Sequence, residues 1–144
     1  MTVNYNQKLG KMGSLNVNFV GTYLKEFISE PIPGLGEYDC AGFFGATCGT
    51  PLPEWRHKVR GTWSTPWNVD VALTWRFLGE VKNEGRSDNP LLSGSVPAID
   101  DKMKAMNYID LAGSWNINKT VTLSGGINNL FDREIGRASC RERV

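Results

Sequence analysis

Three cysteines, Cys40, Cys48 and Cys140, are the first residues of this chain that could carry chemistry. Cys40 and Cys48 enclose a short glycine-containing segment, and two chemistries suit such a pair. The pair forms a disulfide if the segment is exposed to an oxidising environment, or it supplies two thiolate ligands to a metal such as zinc. The segment holds no histidine and no further cysteine to complete a zinc site, so a disulfide is favoured and no metal site is predicted. Cys140 is expected to be unpaired.

Catalytic groups are scarce in the sequence. His57 is the single histidine, and no serine, cysteine or carboxylate pair is placed to use it as a general base. The glycines of Gly34-Leu35-Gly36 are not followed by a helical pattern, which a phosphate-binding loop requires. We therefore expect no enzymatic activity and no cofactor. A formal net charge of +1 also argues against nucleic-acid binding, for which a basic patch is usual.

The elements that must position these side chains are strands, because six segments alternate apolar and polar residues. In the segment at 55–63, Arg56, Lys58 and Arg60 share one face, while Trp55 and Trp63 lie at the two ends of the other. The alternating segments lie at about 3–9, 15–23, 55–63, 69–77, 108–115 and 121–128.

The connections between these segments are alternately short and long. Short ones lie at about 10–13, 64–68 and 116–119, and long ones at about 29–53 and 80–105. Loops beyond about 15 residues are uncommon in compact soluble domains, whereas transmembrane β-barrels have short periplasmic turns and long extracellular loops. The sequence therefore predicts an all-β fold, an antiparallel meander of about six strands that forms a segment of a transmembrane β-barrel. Six strands cannot close a barrel, so the remaining strands are expected to come from a larger protein.

In this arrangement the apolar face contacts outer-membrane lipid and the polar face lines the lumen. Trp55 and Trp63 would be separated by about 20 Å of membrane height, near the apolar band of about 25 Å that aromatic girdles bound. The residues predicted to face the lumen are Arg56, Lys58, Arg60, Asp70, Arg76 and Asp110. The predicted aromatic girdle comprises Trp55, Trp63, Trp67, Trp75, Phe77 and Trp115. Each of these predictions leaves an alternative open. The tryptophans could instead fill the core of a soluble sandwich. The lumen-facing charges could be only the polar lining of a pore, without contacts to a plug or a substrate.

A family resemblance enters with the segment at 125–134. Its Asn128-Asn129-Leu130-Phe131-Asp132 run resembles a segment near the end of TonB-dependent outer-membrane receptors, where it ends one of the last strands of a 22-stranded barrel. Residues 38–58 are similar to an extracellular loop and the following strand in that family. The resemblance covers about residues 1–134.

The resemblance implies a function and a set of partners. The chain is expected to be the C-terminal part of a receptor barrel in the outer membrane of a Gram-negative bacterium. Its parent would import a scarce nutrient, such as a siderophore, a cobalamin-like molecule or an oligosaccharide. The implied partners are outer-membrane lipid, the rest of the barrel with its plug domain, TonB through an N-terminal region that has no counterpart in this sequence, and a small-molecule or oligosaccharide ligand. The fragment alone is expected to be inactive. The alternative from another class is a secreted all-β binding module of adhesin or lectin type.

Three further stretches lie outside the predicted strands. Residues 135–144 have no strand or helix periodicity and look like a non-native tail, although a natural basic terminus stays open. The last nine residues hold three of the sixteen basic and one of the fifteen acidic residues, so the formal charge without them is −1. The mixed-charge stretches at 82–88 and 100–102 are expected to be solvated loop surface.

Overall fold

A computed structural model describes residues 1–97 and 101–131. Asp132, the predicted tail at 135–144 and Cys140 lie outside the described residues. Strands dominate, and they are β1 (Thr2–Lys8), β2 (Ser14–Tyr23), β3 (Ile28–Ser29), β4 (Tyr38–Asp39), β5 (Phe43–Phe44), β6 (Trp55–Ser64), β7 (Val69–Leu78), β8 (Val81–Asn83), β9 (Lys102–Met103), β10 (Met106–Asn116) and β11 (Thr122–Ile127). Short 3-10 turns lie at Gly10–Met12 and Glu84–Arg86. No helix within the described ranges is long and apolar enough to cross a membrane.

The six longest strands form one antiparallel sheet in the order β1, β2, β6, β7, β10, β11. Sheet order follows chain order, so the predicted all-β meander of about six strands is confirmed. The register places apolar residues opposite one another, with Tyr5 facing Val17 across β1 and β2 and Leu111 facing Ile127 across β10 and β11. Because side chains alternate along every strand, this register gathers the apolar side chains on one face of the sheet.

The short turns are made by residues suited to them. Gly13 has φ +94, and a side chain there would collide with the carbonyl of Ser64, so this turn requires glycine. In the next turn, Asn68 has φ 59 and the Thr65 N–H donates to the Val69 carbonyl at 2.8 Å. In the last turn, the Asn118 side chain accepts the N–H of Thr120 at 2.8 Å. Glycine and asparagine tolerate the positive φ that the first two turns require, whereas Asn118 closes the last turn through its side chain.

The chain divides into two compact units. The sheet unit comprises residues 1–21, 57–77 and 107–131, and the loop unit comprises residues 22–56, 78–97 and 101–106. The loop unit contains two small sheets of its own, β3 with β4, and β5 with β8 and β9. The long connections therefore carry regular hydrogen-bonded structure, which period-two alternation in the sequence did not predict because these strands have only two or three residues.

The two units differ in what they bury. The loop unit has a small hydrophobic core of Tyr38, Cys40 and Leu92, against which Cys48 and Leu52 pack. In the sheet unit the buried apolar residues are Ala72 and Tyr108, whereas large apolar side chains stay exposed. The exposed set on the apolar face includes Val3, Tyr5, Leu73, Trp75, Leu111, Trp115, Leu123 and Ile127.

Candidate functional site

The polar face of the sheet carries five of the six residues predicted to face a lumen. Exposure along β6 alternates, with Arg56, Lys58 and Arg60 exposed and Trp55, His57 and Val59 half-buried. A concave surface of the sheet unit is lined by Lys58, Arg60, Thr74, Arg76, Asp110 and Asn128. Asp70 lines the adjoining concavity beside Arg60. Arg56 belongs to the loop unit, where it is exposed. That this surface faces a lumen stays a prediction.

Arg76 and Asp110 form the ion pair of this surface. The Arg76 guanidinium donates from Nε to Asp110 Oδ2 at 2.9 Å and from Nη2 to Oδ1 at 3.0 Å. This two-point geometry is the strong form of an arginine–carboxylate pair. The guanidinium also lies 5.4 Å from the centre of the Tyr108 ring, within cation–π range. Two residues of the adjacent strand β10, Asp110 and Tyr108, therefore hold the Arg76 guanidinium in place.

Asp110 also anchors the segment that carries the family resemblance. The Asn129 N–H donates to Asp110 Oδ1 at 2.7 Å, and the Leu130 N–H donates to the Ile109 carbonyl at 2.7 Å. Asn129 has φ 54, a conformation that asparagine adopts more readily than most residues. The asparagine run therefore ends β11 by turning back onto β10, and Asp110 stabilises that turn. Sequence reasoning placed Asp110 on the polar face and missed this contact, because nothing in the spacing links residues 110 and 129.

Two cations of the surface have no carboxylate within salt-bridge distance in the described ranges. These are Lys58 and Arg60, which lie on β6 beside the paired Arg76. Further along the sheet, the side-chain amides of Asn16 and Asn18 donate to those of Asn6 and Asn4 across β1 and β2. The polar face thus combines amides with an excess of positive charge at Lys58 and Arg60, an arrangement suited to contacting anions.

The apolar face holds an aromatic group around His57. The His57 ring stacks on Phe77 with centroids 5.0 Å apart, and it is perpendicular to the Trp75 ring at 4.7 Å. The Phe19 ring lies tilted by 30° at 5.8 Å. The Trp75 indole N–H donates to Asn107 Oδ1 at 2.9 Å. His57 therefore lies in an aromatic environment on the face opposite Arg60.

Five of the six predicted girdle residues lie near strand ends or in a turn, and Trp75 lies within β7 in the aromatic group around His57. Trp63 donates its indole N–H to the Met12 carbonyl at 2.9 Å near the short turns. Trp67 lies in the 65–68 turn and is 70% exposed, and Trp115 is also exposed near the end of β10. Trp55 begins β6 and Phe77 lies near the end of β7, at the side of the long connections. Their membership of a membrane girdle stays a prediction.

The predicted disulfide is confirmed in the loop unit. Cys40 and Cys48 are joined with an S–S distance of 2.09 Å, and Cys40 is 1% exposed. In the described part of the chain, no three histidine, cysteine or acidic side chains lie together in a way that could hold a metal ion.

Glu84 corrects the expectation that residues 82–88 are wholly solvated. It is 9% exposed, and its carboxylate accepts the N–H of Cys48 at 2.6 Å and that of Thr47 at 2.9 Å. Burial acts to raise the pKa of Glu84, but these N–H donors outweigh it and hold the pKa below its ordinary value. Gly45 allows this approach, because a side chain there would collide with the carboxyl group. Lys82, Arg86 and Asp88 fit the expectation, since they are exposed.

Comparison with known proteins finds similarity over part of the chain. A stretch of 87 residues, 60% of this chain, is 24% identical to the ferrienterobactin receptor of Escherichia coli (strain K12). The matched stretch spans 11% of the length of that receptor. No family model and no solved structure matches the chain. The similarity is in line with the resemblance carried by the asparagine run.

Proposed function

We propose that this chain is part of the β-barrel of an outer-membrane, TonB-dependent receptor that takes up a scarce nutrient by active transport. Its role is binding and passage, with no enzymatic step. The observation that carries the proposal is the sheet itself, whose one face exposes large apolar side chains while the other is polar and charged. A soluble domain rarely exposes so large a contiguous apolar surface. A barrel strand, by contrast, needs apolar residues towards lipid and polar residues towards the lumen.

The open edges of the sheet support the same proposal. β1 and β11 each have one neighbour in the described sheet, so their outer backbone groups lack strand partners there. In a bilayer each unpaired backbone group costs several kcal/mol, and a closed barrel removes this cost. The remaining strands of the barrel are the partners that these edges need.

The cargo of the parent is proposed only as a class. The similar protein is named as a receptor for ferrienterobactin. The matched stretch is 11% of that receptor, which is too little to assign the same ligand to this chain. Lys58 and Arg60, with no carboxylate in salt-bridge range in the described part, suit an anionic cargo or an acidic surface of the plug. A siderophore, a cobalamin-like molecule or an oligosaccharide is the proposed range of substrates, and TonB is the proposed source of energy coupling.

A secreted adhesin- or lectin-type module is the competing function, and a pair of arginine substitutions in the full-length parent separates the two. Leu73 lies near the middle of β7 on the apolar face and is 49% exposed, and Thr74 is its neighbour on the polar face. Leu73→Arg would place a charge against lipid at a cost of about 2–4 kcal/mol near the bilayer centre, whereas Thr74→Arg would face water. The measurement is the amount of receptor in the outer membrane that shows the heat-dependent gel shift of a folded barrel. We expect Leu73→Arg to abolish this folded receptor and Thr74→Arg to leave its amount near that of the unsubstituted receptor.

The same pair defines the contrary outcome. If both variants are secreted and folded, or if both assemble equally well, the apolar face does not contact lipid and the barrel proposal fails. Loss of both variants would indicate that the middle of β7 tolerates no arginine on either face, which a water-lined lumen does not predict.

A further inference from the structure

The loop unit contains an apolar pocket that the proposed transport function does not use. Its lining comes from both long connections and from the strand ends that adjoin them. The lining residues include Pro51, Pro53, Leu78, Val81, Met103 and Met106. The exposed surface of the pocket is entirely apolar, and its volume is about 220 Å³.

This volume limits what the pocket can take. A dry apolar cavity of about 150 Å³ accepts a benzene molecule, while sites for drug-sized ligands begin at about 300 Å³. The pocket therefore has room for one ring or a short acyl chain, and a larger molecule would insert only a part.

The walls of the pocket are fixed by backbone pairing. Val81 is buried and pairs with Met103 in the antiparallel ladder of β8 and β9. The Gly79 N–H donates to the Trp55 carbonyl at 2.8 Å, and a side chain at Gly79 would come within 2.8 Å of that oxygen. Glycine thus lets the end of β7 lie close to the Pro53–Trp55 segment. Two prolines and a paired strand restrain the backbone of the walls, so the walls cannot readily close the pocket and the pocket is preformed.

Lys104 supplies the charge at the edge of the pocket. It lines the pocket through its aliphatic stem, since the lining is apolar, and the residue is exposed, so its ammonium group reaches solvent. The neighbouring cation Lys102 already pairs with Glu80, with Nζ 3.6 Å from Oε2. Within the described ranges, Lys104 has no carboxylate in salt-bridge range.

We propose that this pocket binds an amphipathic monoanion, an aryl or short acyl carboxylate whose apolar end enters between Pro53, Val81 and Met106 and whose carboxylate pairs with Lys104. The apolar end supplies most of the affinity by leaving water, and the pairing with Lys104 selects anions over neutral and cationic analogues. The site is confined to the loop unit, so it does not depend on whether the sheet belongs to a transporter.

Methionine oxidation tests the proposal without additional labels. The chain has four methionines, of which Met103 and Met106 line the pocket while Met1 and Met12 lie in the sheet unit and serve as internal controls. The full chain is mixed with phosphatidylcholine, which covers the apolar face whether or not the chain is assembled. It is then treated with dilute hydrogen peroxide, and sulfoxide at each position is followed by mass spectrometry. Phenylbutyrate, phenylbutanol and phenylbutylamine are titrated as probes that share an apolar body and differ in charge.

We expect phenylbutyrate to slow oxidation of Met103 and Met106 in a saturable way, at concentrations that leave Met1 and Met12 unchanged. Phenylbutanol should require higher concentrations, and phenylbutylamine higher ones still. Lys104→Gln should raise the phenylbutyrate concentration for half-protection about two- to fivefold, the range for an exposed ion pair. Lys104→Arg should leave the phenylbutyrate concentration for half-protection unchanged, because the positive charge is kept. Lys102→Gln should also leave it unchanged, because the Lys102 side chain does not line the pocket.

Three results would overturn the proposal. Equal protection of all four methionines would indicate that the probes only partition into lipid. Equal potency of phenylbutylamine and phenylbutyrate would remove the role of Lys104. Fast oxidation of Met103 and Met106, at the rate of the exposed Met12 and without response to any probe, would show that no such pocket exists in solution.

Discussion

Glu84 holds the disulfide loop from inside the loop unit. Its carboxylate accepts backbone N–H groups from Thr47 and Cys48, which follow one another in the chain. Hydrogen bonds to a charged acceptor contribute more than neutral ones, about 1.5–3 kcal/mol each. These hydrogen bonds stabilise the loop fully only while the Glu84 carboxylate is ionised, so acid is expected to weaken the loop.

The first prediction at this scale concerns Glu84→Gln. The amide keeps the shape of the side chain but loses the charge, so the loop at 45–49 should open more readily, by about 1–3 kcal/mol. Hydrogen exchange of the Thr47 and Cys48 amides measures that opening. Glu80→Gln is the matched control, because Glu80 is an exposed partner of Lys102 and its loss should cost well under 1 kcal/mol. Equal exchange in the two variants would contradict the role of Glu84.

The pH dependence follows from the lowered pKa of Glu84. Because the folded-state pKa lies below the unfolded-state value, the carboxylate contributes its full stability above the unfolded-state pKa. That contribution is lost as the pH falls through the lowered folded-state pKa. Exchange of the Thr47 amide, corrected for its intrinsic rate, should therefore accelerate on acidification below the ordinary glutamate pKa of about 4.3. The Glu84→Gln variant should lack this acceleration, and its persistence there would assign it to another group.

At the scale of elements, the long strands were predictable and the structure inside the long connections was not. Alternation over ten residues, as in β6 and β7, leaves one face apolar, and only a strand has that period. The strands of two or three residues in the loop unit are too short to have a period. Their pairing depends on contacts between residues far apart in the chain, such as Phe43 with Lys82.

The candidate sites divide in the same way. The disulfide could be predicted because its two cysteines are close in sequence, with a separation of eight residues. The polar set on β6 and β7 could be predicted from alternation. The contacts of Glu84 with Thr47 and of Asp110 with Asn129 could not, because each joins residues from separate elements. The apolar pocket of the loop unit was missed for the same reason, since its lining comes from several separate segments.

The prediction at the scale of elements concerns the segment that the disulfide closes. In the chain-entropy account, closing this loop contributes about 2.5 kcal/mol. Replacing Cys40 and Cys48 by serine should therefore raise the opening rate of the 40–48 segment by up to about 60-fold, again read by hydrogen exchange. Cys140→Ser is the control and should have no effect there. Under oxidising conditions, maleimide should label only Cys140 in the unsubstituted chain, and labelling of Cys40 would show that the loop is not closed.

At the scale of the whole molecule, the open sheet is the property that decides behaviour in solution. The Met1 ammonium group donates to the Gly21 carbonyl at 2.8 Å and the Gly21 N–H donates back to Met1 at 2.9 Å. Since hydrogen-bonded pairs alternate along an antiparallel ladder, Val3 and Tyr5 also pair with β2, and the N–H groups of Asn4 and Asn6 point to the open edge. An exposed, unpaired edge of this kind is a template for association with further strands.

The last prediction follows from these edges. Residues 1–134 expressed alone should form large assemblies through β1 and β11, and detergent should cover the apolar face without dispersing them fully. Asn4→Pro removes an outward N–H and should blunt the β1 edge, leaving β11 as the single adhesive edge and reducing the assemblies towards dimers. Tyr5→Pro, its neighbour, removes a hydrogen bond to β2 and should unravel the hairpin instead. Light scattering gives the size, and far-ultraviolet circular dichroism reports whether strand content is kept. A monomeric parent fragment that stays soluble and unfolds cooperatively would mean that its edges need no partner strands, and it would remove the reason for placing this sheet in a larger barrel.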